Sequence, residues 1–365
     1  MTDGFVISQR DERIAMNSRQ RVMAAVARRE VDRVPARFNG WGENSMKIAR
    51  HLGLDVSRPD WEIVMYERLG IDMVNGSAWT PPGVEPPDLG PATAPWKDAA
   101  SVADLNPAWA EFLANPANVS FQHMVEWMRE RDQRGNPPAL LIKAGMMFGT
   151  MRRLRGCEQA MMDLADGNDI LNYILDATEQ QNVVLLDKAH AELGDRIDLF
   201  YFVEELGMQD GLMYPPDMIR EHFFPRLKRL FARAHGYGYK VFFHSCGAIR
   251  ELIPELIELG VDVLNPIQPG GQGMAPEELA RDFAGKVCFC GGMDMQRLMP
   301  MGKPDEVRKE AERYMRVLAP GYILDYANIL HEDIPPENSL AMYAADRKCG
   351  GGERLNNGNI IGKNT

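Results

Sequence analysis

Short apolar runs alternate with longer amphipathic stretches along most of the chain, and this alternation predicts strands that are each followed by a helix. The rhythm is most regular after residue 198. The predicted strands are 36–39, 71–75, 139–148, 198–203, 240–245, 262–267, 286–290 and 322–325. Eight such units in 365 residues predict an α/β fold, a single (β/α)₈ TIM barrel. The competing doubly wound sheet expects fewer strands and a glycine-rich first turn, which the sequence lacks.

The barrel is predicted to occupy residues 17–348, between a flexible N-terminal arm (1–16) and a flexible Gly/Asn-rich tail (349–365). Ser18 is predicted to cap the first helix, 19–29. A stretch rich in proline and glycine, 79–106, is predicted to form a long loop at one end of the barrel.

Composition narrows the possible functions. The formal net charge is −11 and no long cluster of Lys or Arg occurs, which argues against a nucleic-acid partner. No apolar run approaches the length of a transmembrane helix, so no membrane association is expected. Five cysteines, an odd number, in a long chain without a signal-peptide pattern predict a reduced protein of the cytoplasm whose thiols are free to bind metal.

A His-x-Cys pair ends the fifth predicted strand, in the stretch 240–247, KVFFHSCG. Because side chains alternate along a strand, His244 and Cys246 point to the same side, while Ser245 points to the other. Imidazole nitrogen and thiolate sulfur are both zinc ligands. The pair therefore predicts part of a zinc site, and the plainer alternative is a buried cysteine packed beside a hydrogen-bonded histidine.

Polar residues also end the other predicted strands of the second half. In a barrel these strand ends form one rim, where catalytic residues of this fold lie. For any one of them alone, a capping or surface role is the simpler explanation. The residues are Glu204, Glu205, Asn265, Gln268, Cys290, Asp294, Asp325, Tyr326, Asn328 and His331.

Three stretches of the sequence resemble the uroporphyrinogen decarboxylase superfamily: 242–247 (FFHSCG), 291–294 (GGMD) and 333–338 (DIPPEN). The resemblance is strong over residues 195–348 and weaker over 15–75. The superfamily contains uroporphyrinogen decarboxylases, zinc-dependent methyltransferases that work with corrinoid proteins, and zinc-dependent alkyl transferases. It implies a (β/α)₈ barrel, in agreement with the strand count.

The residues after the first strand separate these branches. The decarboxylases carry an arginine-rich segment there, which binds the acetate and propionate groups of the tetrapyrrole. The corresponding segment here, 37–43, reads RFNGWGE and retains a single cation, Arg37. A highly anionic substrate would leave most of its carboxylates unpaired, so the resemblance favours the methyltransferase branch.

That branch implies a zinc site made of the His-x-Cys pair, His244 and Cys246, and a later cysteine after the eighth strand. Residues 325–328 contain no cysteine. Glu205, ranked first, or Cys290 is the predicted replacement, and a protein without metal is the remaining alternative. The predicted catalytic residues are Glu205, His244 and Asn265, and the predicted cofactor-binding residues are Asp294 and Asn328.

The resemblance therefore predicts a zinc-dependent methyltransferase subunit that passes a methyl group from a small methoxylated or N-/S-methylated substrate to cobalamin. None of the seven histidines follows an aspartate by two residues, so the Asp-x-His-x-x-Gly pattern of corrinoid binding is absent and a partner corrinoid protein is expected to carry the cobalamin. A homodimer is possible. The alternatives are a cobalamin-free zinc thiol alkyl transferase and a tetrapyrrole-binding protein resembling uroporphyrinogen decarboxylase.

Overall fold

The computed structural model describes residues 15–90 and 93–348 of the chain. Its barrel strands are β1 (36–37), β2 (Met73–Gly76), β3 (Ala139–Lys143), β4 (Leu199–Val203), β5 (Lys240–His244), β6 (Val263–Asn265), β7 (Cys288–Cys290) and β8 (Tyr322–Ile323). A short antiparallel hairpin, Gly207–Met208 with Gly211–Leu212, follows β4. Its helices are α1 (Ser18–Val26), α2 (Gly42–His51), α3 (Trp61–Leu69), α4 (Ala108–Ala114), α5 (Gln122–Gln133), α6 (Met147–Arg155), α7 (Cys157–Asp166), α8 (Asp169–Leu193), α9 (Pro216–His222), α10 (Phe224–Gly236), α11 (Ile253–Leu259), α12 (Pro276–Phe283), α13 (Leu298–Met301), α14 (Pro304–Leu318) and α15 (Pro336–Tyr343).

Strands β2 to β8 form one parallel sheet in chain order, and β1 closes it into a barrel. Ala36 bridges Leu324 just after β8, and Arg37 bridges Met73 at the start of β2, both in parallel. The Arg37 backbone N–H donates to the Leu324 carbonyl at 2.9 Å. The predicted (β/α)₈ barrel is confirmed, with each predicted strand in its expected place.

The barrel interior is filled by side chains at alternate strand positions, as a pleated strand requires. The interior cluster includes Leu141, Leu199, Phe242 and Val263, all fully buried. One end is plugged by helix α1, whose Val22, Ala25 and Val26 belong to the same cluster. This is the end at which the strands begin, because Arg19 pairs with Asp198 at 2.7 Å, one residue before β4. The opposite end, where the strands finish, forms the mouth.

The element boundaries differ from prediction where local hydrogen bonds decide them. Asn17, rather than Ser18, caps α1: its side chain accepts from the Gln20 N–H, while the Ser18 hydroxyl donates to Asp72 at 2.8 Å. The third strand ends at Lys143 and not at 148, because the Glu204 carboxylate accepts from the N–H groups of Met147 and Phe148 and starts helix α6.

Within the described residues, the segment 79–106 is irregular apart from a short 3-10 helix, Val102–Asp104, and contacts with neighbouring helices hold its second half in place. Trp96 is buried and packs edge-on against Trp109 at a centroid distance of 5.2 Å. Arg155, at the end of α6, donates to the carbonyl oxygens of Trp96 and Ala99. The predicted arm and tail fall almost entirely on 1–14 and 349–365, which lie outside the described residues. No helix in the described ranges combines the length and the apolar composition needed to cross a membrane.

Candidate metal centre

The interior positions of the strands change from apolar to polar at the mouth. On five strands, the residue two positions after an interior apolar side chain is polar. The interior side chains are Met73, Leu141, Phe242, Val263 and Ile323. These polar residues are Asn75, Lys143, His244, Asn265 and Asp325. The apolar floor of the barrel thus carries a layer of hydrogen-bonding and charged groups, which is where substrates of this fold are bound.

Glu205, His244 and Cys246 come together in this layer, with their nearest ligand atoms all within 4.8 Å of one another. Cys246 Sγ lies 3.4 Å from His244 Nε2, which lies 3.9 Å from Glu205 Oε1. His244 is buried, whereas Glu205 and Cys246 are half-buried. Two neighbouring strands place the cluster, because Glu205 follows β4, His244 ends β5 and Cys246 follows β5 by two residues.

This donor set fits a zinc ion. Zinc binds thiolate sulfur at about 2.3 Å and imidazole nitrogen or carboxylate oxygen at about 2.0–2.2 Å. In a tetrahedral site those lengths put ligand atoms about 3.5 Å apart. The observed separations of 3.4 and 3.9 Å are close to this value, so only small side-chain adjustments are needed to bring the three donors onto one ion.

Asn265 fixes which nitrogen of His244 faces the cluster. The Asn265 Nδ2 donates to the Cys290 carbonyl at 3.3 Å, which leaves its Oδ1 as an acceptor 2.6 Å from His244 Nδ1. His244 Nδ1 must therefore carry the proton, and Nε2 presents its lone pair toward Cys246 and Glu205. Such an outer partner is the usual means of orienting a metal-bound histidine.

Burial keeps the imidazole and the thiol of the cluster neutral at pH 7. Desolvation is the main cause of all three shifts: it lowers the pKa of His244 to about 4, raises that of Cys246 to about 12, and raises that of Glu205. Arg37 and Lys143 lower the His244 pKa further, and the Glu205 carboxylate raises the Cys246 pKa. The imidazole is thus ready to bind a cation, and the thiol gives up its proton only when one arrives.

The neighbouring glutamates have different roles. Glu204 is buried beneath the first turn of α6 and accepts from Met147 N–H at 2.8 Å and Phe148 N–H at 3.0 Å. Burial raises the pKa of Glu204 to about 8, with a further contribution from Glu205. Glu204 therefore holds helix α6 in place, and Glu205 is the one that reaches the cluster.

The remaining predicted site residues lie at different distances from the cluster. Asn328 contacts it, because its Nδ2 lies 3.6 Å from Cys246 Sγ. Cys290 is fully buried in the barrel interior and does not belong to the group of potential ligands. Asp294 stabilises the turn that precedes α13, where its carboxylate accepts from the N–H of Gln296 at 2.8 Å. Of the two proposed replacements for the third ligand, the structure thus brings Glu205, and not Cys290, to His244 and Cys246.

Two cations of the mouth were not recognised as site residues from the sequence. Lys143 ends β3, is exposed, and has no hydrogen-bond or ion-pair partner among the described residues. Desolvation and the charge of Arg37 lower its pKa. A charged residue at the last interior position of a buried strand is the sequence signal that could have identified Lys143. Arg37 instead is buried and paired with Asp325 at 2.6 Å, so it is not available to a substrate.

Comparisons with known proteins agree with this architecture. A family model described as uroporphyrinogen decarboxylase (URO-D) matches residues 147–349, more than half of the chain. The fold is similar to that of a methyltransferase from Methanosarcina mazei, with a TM-score of 0.61 and 15% identity over 91% of this chain and 98% of that protein. At this identity the similarity concerns the fold alone.

A second solved structure, the IOLI protein with a bound zinc atom, is 11% identical over 78% of this chain and 89% of its own. Its TM-score of 0.36 is too low to support an inference about fold or zinc. A comparison with curated protein sequences gives no match. The match to the family model, which spans the strands that supply Glu205, His244 and Cys246, shows that the chain belongs to the uroporphyrinogen decarboxylase family.

Proposed function

We propose that this protein is a zinc-dependent methyltransferase subunit of a corrinoid system. It would transfer a methyl group from a small methoxylated or N-/S-methylated substrate to cobalamin held by a partner corrinoid protein. The observation that carries the proposal is the cluster of Glu205, His244 and Cys246 at the mouth of the barrel. The family membership and the fold shared with a methyltransferase support it.

The chain's own residues have defined tasks in this proposal. His244, Cys246 and Glu205 would hold the zinc, with Asn265 keeping the imidazole in the required tautomer. A bound zinc ion supplies a Lewis acid that makes an alkoxide, amine or thiolate a better leaving group. Asn328, which contacts Cys246, and Lys143, which is exposed at the mouth, would position the substrate.

The environment of Arg37 argues against tetrapyrrole decarboxylation. Its guanidinium donates to Asp325 at 2.6 Å and to Asn75 at 3.1 Å, and it stacks over the rings of Tyr201 and Phe242. The one cation that this chain shares with the arginine-rich segment of the decarboxylases is therefore already neutralised inside the protein. A substrate with many carboxylates would find too few cations in the mouth.

Exposed apolar side chains in the loops around the mouth favour the presence of a partner protein. Trp41, Trp79 and Met208 are more than half exposed, and they lie in the loops that follow β1, β2 and β4. Exposed large apolar side chains gathered on one face are typical of a protein interface. A corrinoid protein docked there would bring its cobalt to the open end of the barrel, next to the proposed zinc site.

Metal analysis and a transfer assay test the proposal together. We expect one zinc ion per chain, and methylation of Co(I) cobalamin by at least one methoxylated or N-methyl compound, followed by absorbance. His244→Ala and Cys246→Ala should lose both the zinc and the transfer while keeping the circular dichroism spectrum of the folded protein. Protein without stoichiometric zinc, or undiminished transfer in these variants, would contradict the proposal.

A further inference from the structure

The inner wall of the mouth carries three side chains with hydrogen-bond donors that have no acceptor among the described residues. They are Asn75, Lys143 and Tyr201, at interior positions of the neighbouring strands β2, β3 and β4. Lys143 is aligned with Tyr201 across the sheet, and Asn75 is aligned with Leu141, two residues before Lys143. Because side chains two residues apart share one face of a strand, all three point into the barrel. They form a row that leads to β5, the strand of His244.

These donors are open to the mouth rather than enclosed by the protein. Asn75 and Lys143 are exposed residues. Asn75 uses its Oδ1 to accept from Arg37 Nε at 3.1 Å and from Arg37 Nη2 at 3.0 Å, which leaves the hydrogens of its Nδ2 unused. The Tyr201 hydroxyl has no partner among the described residues, and it is not fully enclosed either. All three side chains can therefore donate to a molecule that enters the mouth.

Lys143 is the cation of this group, and no carboxylate of the described residues pairs with it. Asp325 is paired with Arg37 at 2.6 Å, and Glu205 faces His244 at 3.9 Å. Desolvation and the charge of Arg37 both disfavour the ammonium form of Lys143 and lower its pKa. An anion beside Lys143 would offset both effects, because an opposite charge stabilises the ammonium form.

The charge balance of this part of the mouth favours an anion with a single negative charge. A zinc ion held by one thiolate, one carboxylate and a neutral imidazole has no net charge. The buried pair of Arg37 and Asp325 is neutral as well, and the charge of Arg152 acts on Glu205 but not on Lys143. The positive charge of Lys143 therefore remains. A carboxylate would balance it, whereas a phosphate group, with a charge of about −1.5 to −2, would bring an excess of negative charge.

We propose that Asn75, Lys143 and Tyr201 bind the carboxylate of the methyl donor, so that the substrate is a small methoxylated or N-/S-methylated carboxylic acid. This inference rests on the methyl transfer proposed above and narrows its substrate class. The two oxygens of a carboxylate can accept from an ammonium, an amide N–H and a phenol O–H together. Tyr201 also packs edge-on against His244 at a centroid distance of 5.7 Å, so the methyl-bearing end of a substrate held here would extend toward the metal cluster.

Calorimetric titration of the full-length protein tests the carboxylate site without requiring turnover. The probes are methoxybenzoate, methoxyacetate, dimethylglycine and methylthiopropanoate, each compared with its primary amide. We expect at least one acid to bind about tenfold more tightly than its amide, as a hydrogen bond to a charged group predicts. Lys143→Met should remove this preference, and Lys228→Met, an exposed change on α10, should keep it. A preference that came from the zinc ion alone would survive in Lys143→Met.

The transfer assay separates this inference from the proposed function. Binding of an acid that depends on Lys143, in a protein that transfers no methyl group, would retain the carboxylate site and contradict the methyltransferase. Transfer from neutral methyl compounds that is undiminished in Lys143→Met would support the methyltransferase and overturn the carboxylate site. Equal affinities for acids and amides, an acid preference that persists in Lys143→Met, or no binding of any of the four acids would overturn the carboxylate site as well.

Discussion

At the scale of single residues, the alternation of side chains along a strand decides which of two neighbouring residues faces the metal cluster. The interior residues of β4 are Leu199, Tyr201 and Val203, and the same alternation continued by two reaches Glu205 and not Glu204. This choice was available from the sequence, since it needs only the period of two. The ion pair that makes Arg37 unavailable to a substrate could not be predicted from the sequence, because its partner Asp325 is 288 positions away.

The two glutamates provide a matched pair of variants. Glu205→Gln should weaken zinc binding by more than the roughly 10–100-fold that the loss of an outer-shell partner costs, because it removes a ligand itself. Glu204→Gln should keep the zinc affinity within a few-fold and should lower the melting temperature instead, because one N–H of the first turn of α6 loses its acceptor. Competition with a chromophoric chelator measures the affinity. If Glu205→Gln binds zinc as well as the wild type does, Glu205 is not a ligand.

At the scale of elements, the loops after β4 and β5 are held in direct contact. The Ala248 N–H donates to the Met208 carbonyl at 2.7 Å, and the Leu206 N–H donates to the Ser245 hydroxyl at 3.0 Å. Both strands were predicted from the sequence, and Gly247 marks the end of the second. Nothing in a single sequence reveals that these two loops, nearly forty residues apart, are in contact. Their contact sets the position of Glu205 relative to His244 and Cys246.

Gly247→Ala should disrupt this contact. Gly247 has φ +89°, and a Cβ there would lie 2.2 Å from the carbonyl carbon of Gly207, so backbone must move. We expect a lower melting temperature and weaker zinc binding. Gly211→Ala is the control, because a Cβ at this position meets nothing within 4 Å. Normal zinc affinity in Gly247→Ala would show that the metal cluster does not depend on this loop contact.

Asp163 makes the junction between α6 and α7 sensitive to acid. Burial raises the pKa of this carboxyl, but hydrogen bonds from Arg155, Gln159 and Asn168 outweigh it, and the pKa ends below its ordinary value. A lowered folded-state pKa stabilises the protein above the unfolded pKa of about 4, and this stabilisation is lost as the pH falls through the folded pKa.

Asp163→Asn should therefore destabilise the protein by about 3–5 kcal/mol at pH 7, because it leaves the buried Arg155 unpaired, and by less below pH 4. Urea unfolding at pH 7 and pH 3 measures the difference. Asp166→Asn, an exposed change on the same helix, should have little effect at either pH. An equal loss of stability for Asp163→Asn at the two pH values would contradict the assignment of the carboxylate as the stabilising form.

At the scale of the whole molecule, the rhythm of strands and helices was enough to predict the barrel. Each strand is a short apolar run, and the eight runs were all found in the sequence. Two features of the packing could not be predicted. The helix predicted near the N-terminus is the plug of the barrel interior. The buried Arg131 has two nitrogen atoms, Nε and Nη2, without a hydrogen-bond partner among the described residues, and only the packed structure reveals this. Both depend on contacts between segments that are distant in the chain.

The proposed partner interface can be tested with Trp41→Ser combined with Met208→Ser. If a corrinoid protein docks on the mouth, the KM for that protein should rise about tenfold, as expected for loss of large apolar anchors. Transfer to free Co(I) cobalamin should stay unchanged, since both side chains are exposed on loops outside the metal cluster. A double variant with an unaltered KM for the partner would place the docking surface elsewhere.

The closure of the barrel by β1 also has a consequence for how the chain is made. The contact between Arg37 and Asp325 joins residues 288 positions apart. At synthesis rates of about 5–20 residues per second, Asp325 leaves the ribosome about 15–60 s after Arg37. Until then the nascent chain carries an arginine destined for burial without its counter-ion, and an open edge of parallel sheet. The seam between the first and last strands therefore stays open to aggregation until translation is nearly complete, and chaperone binding would protect it during that time.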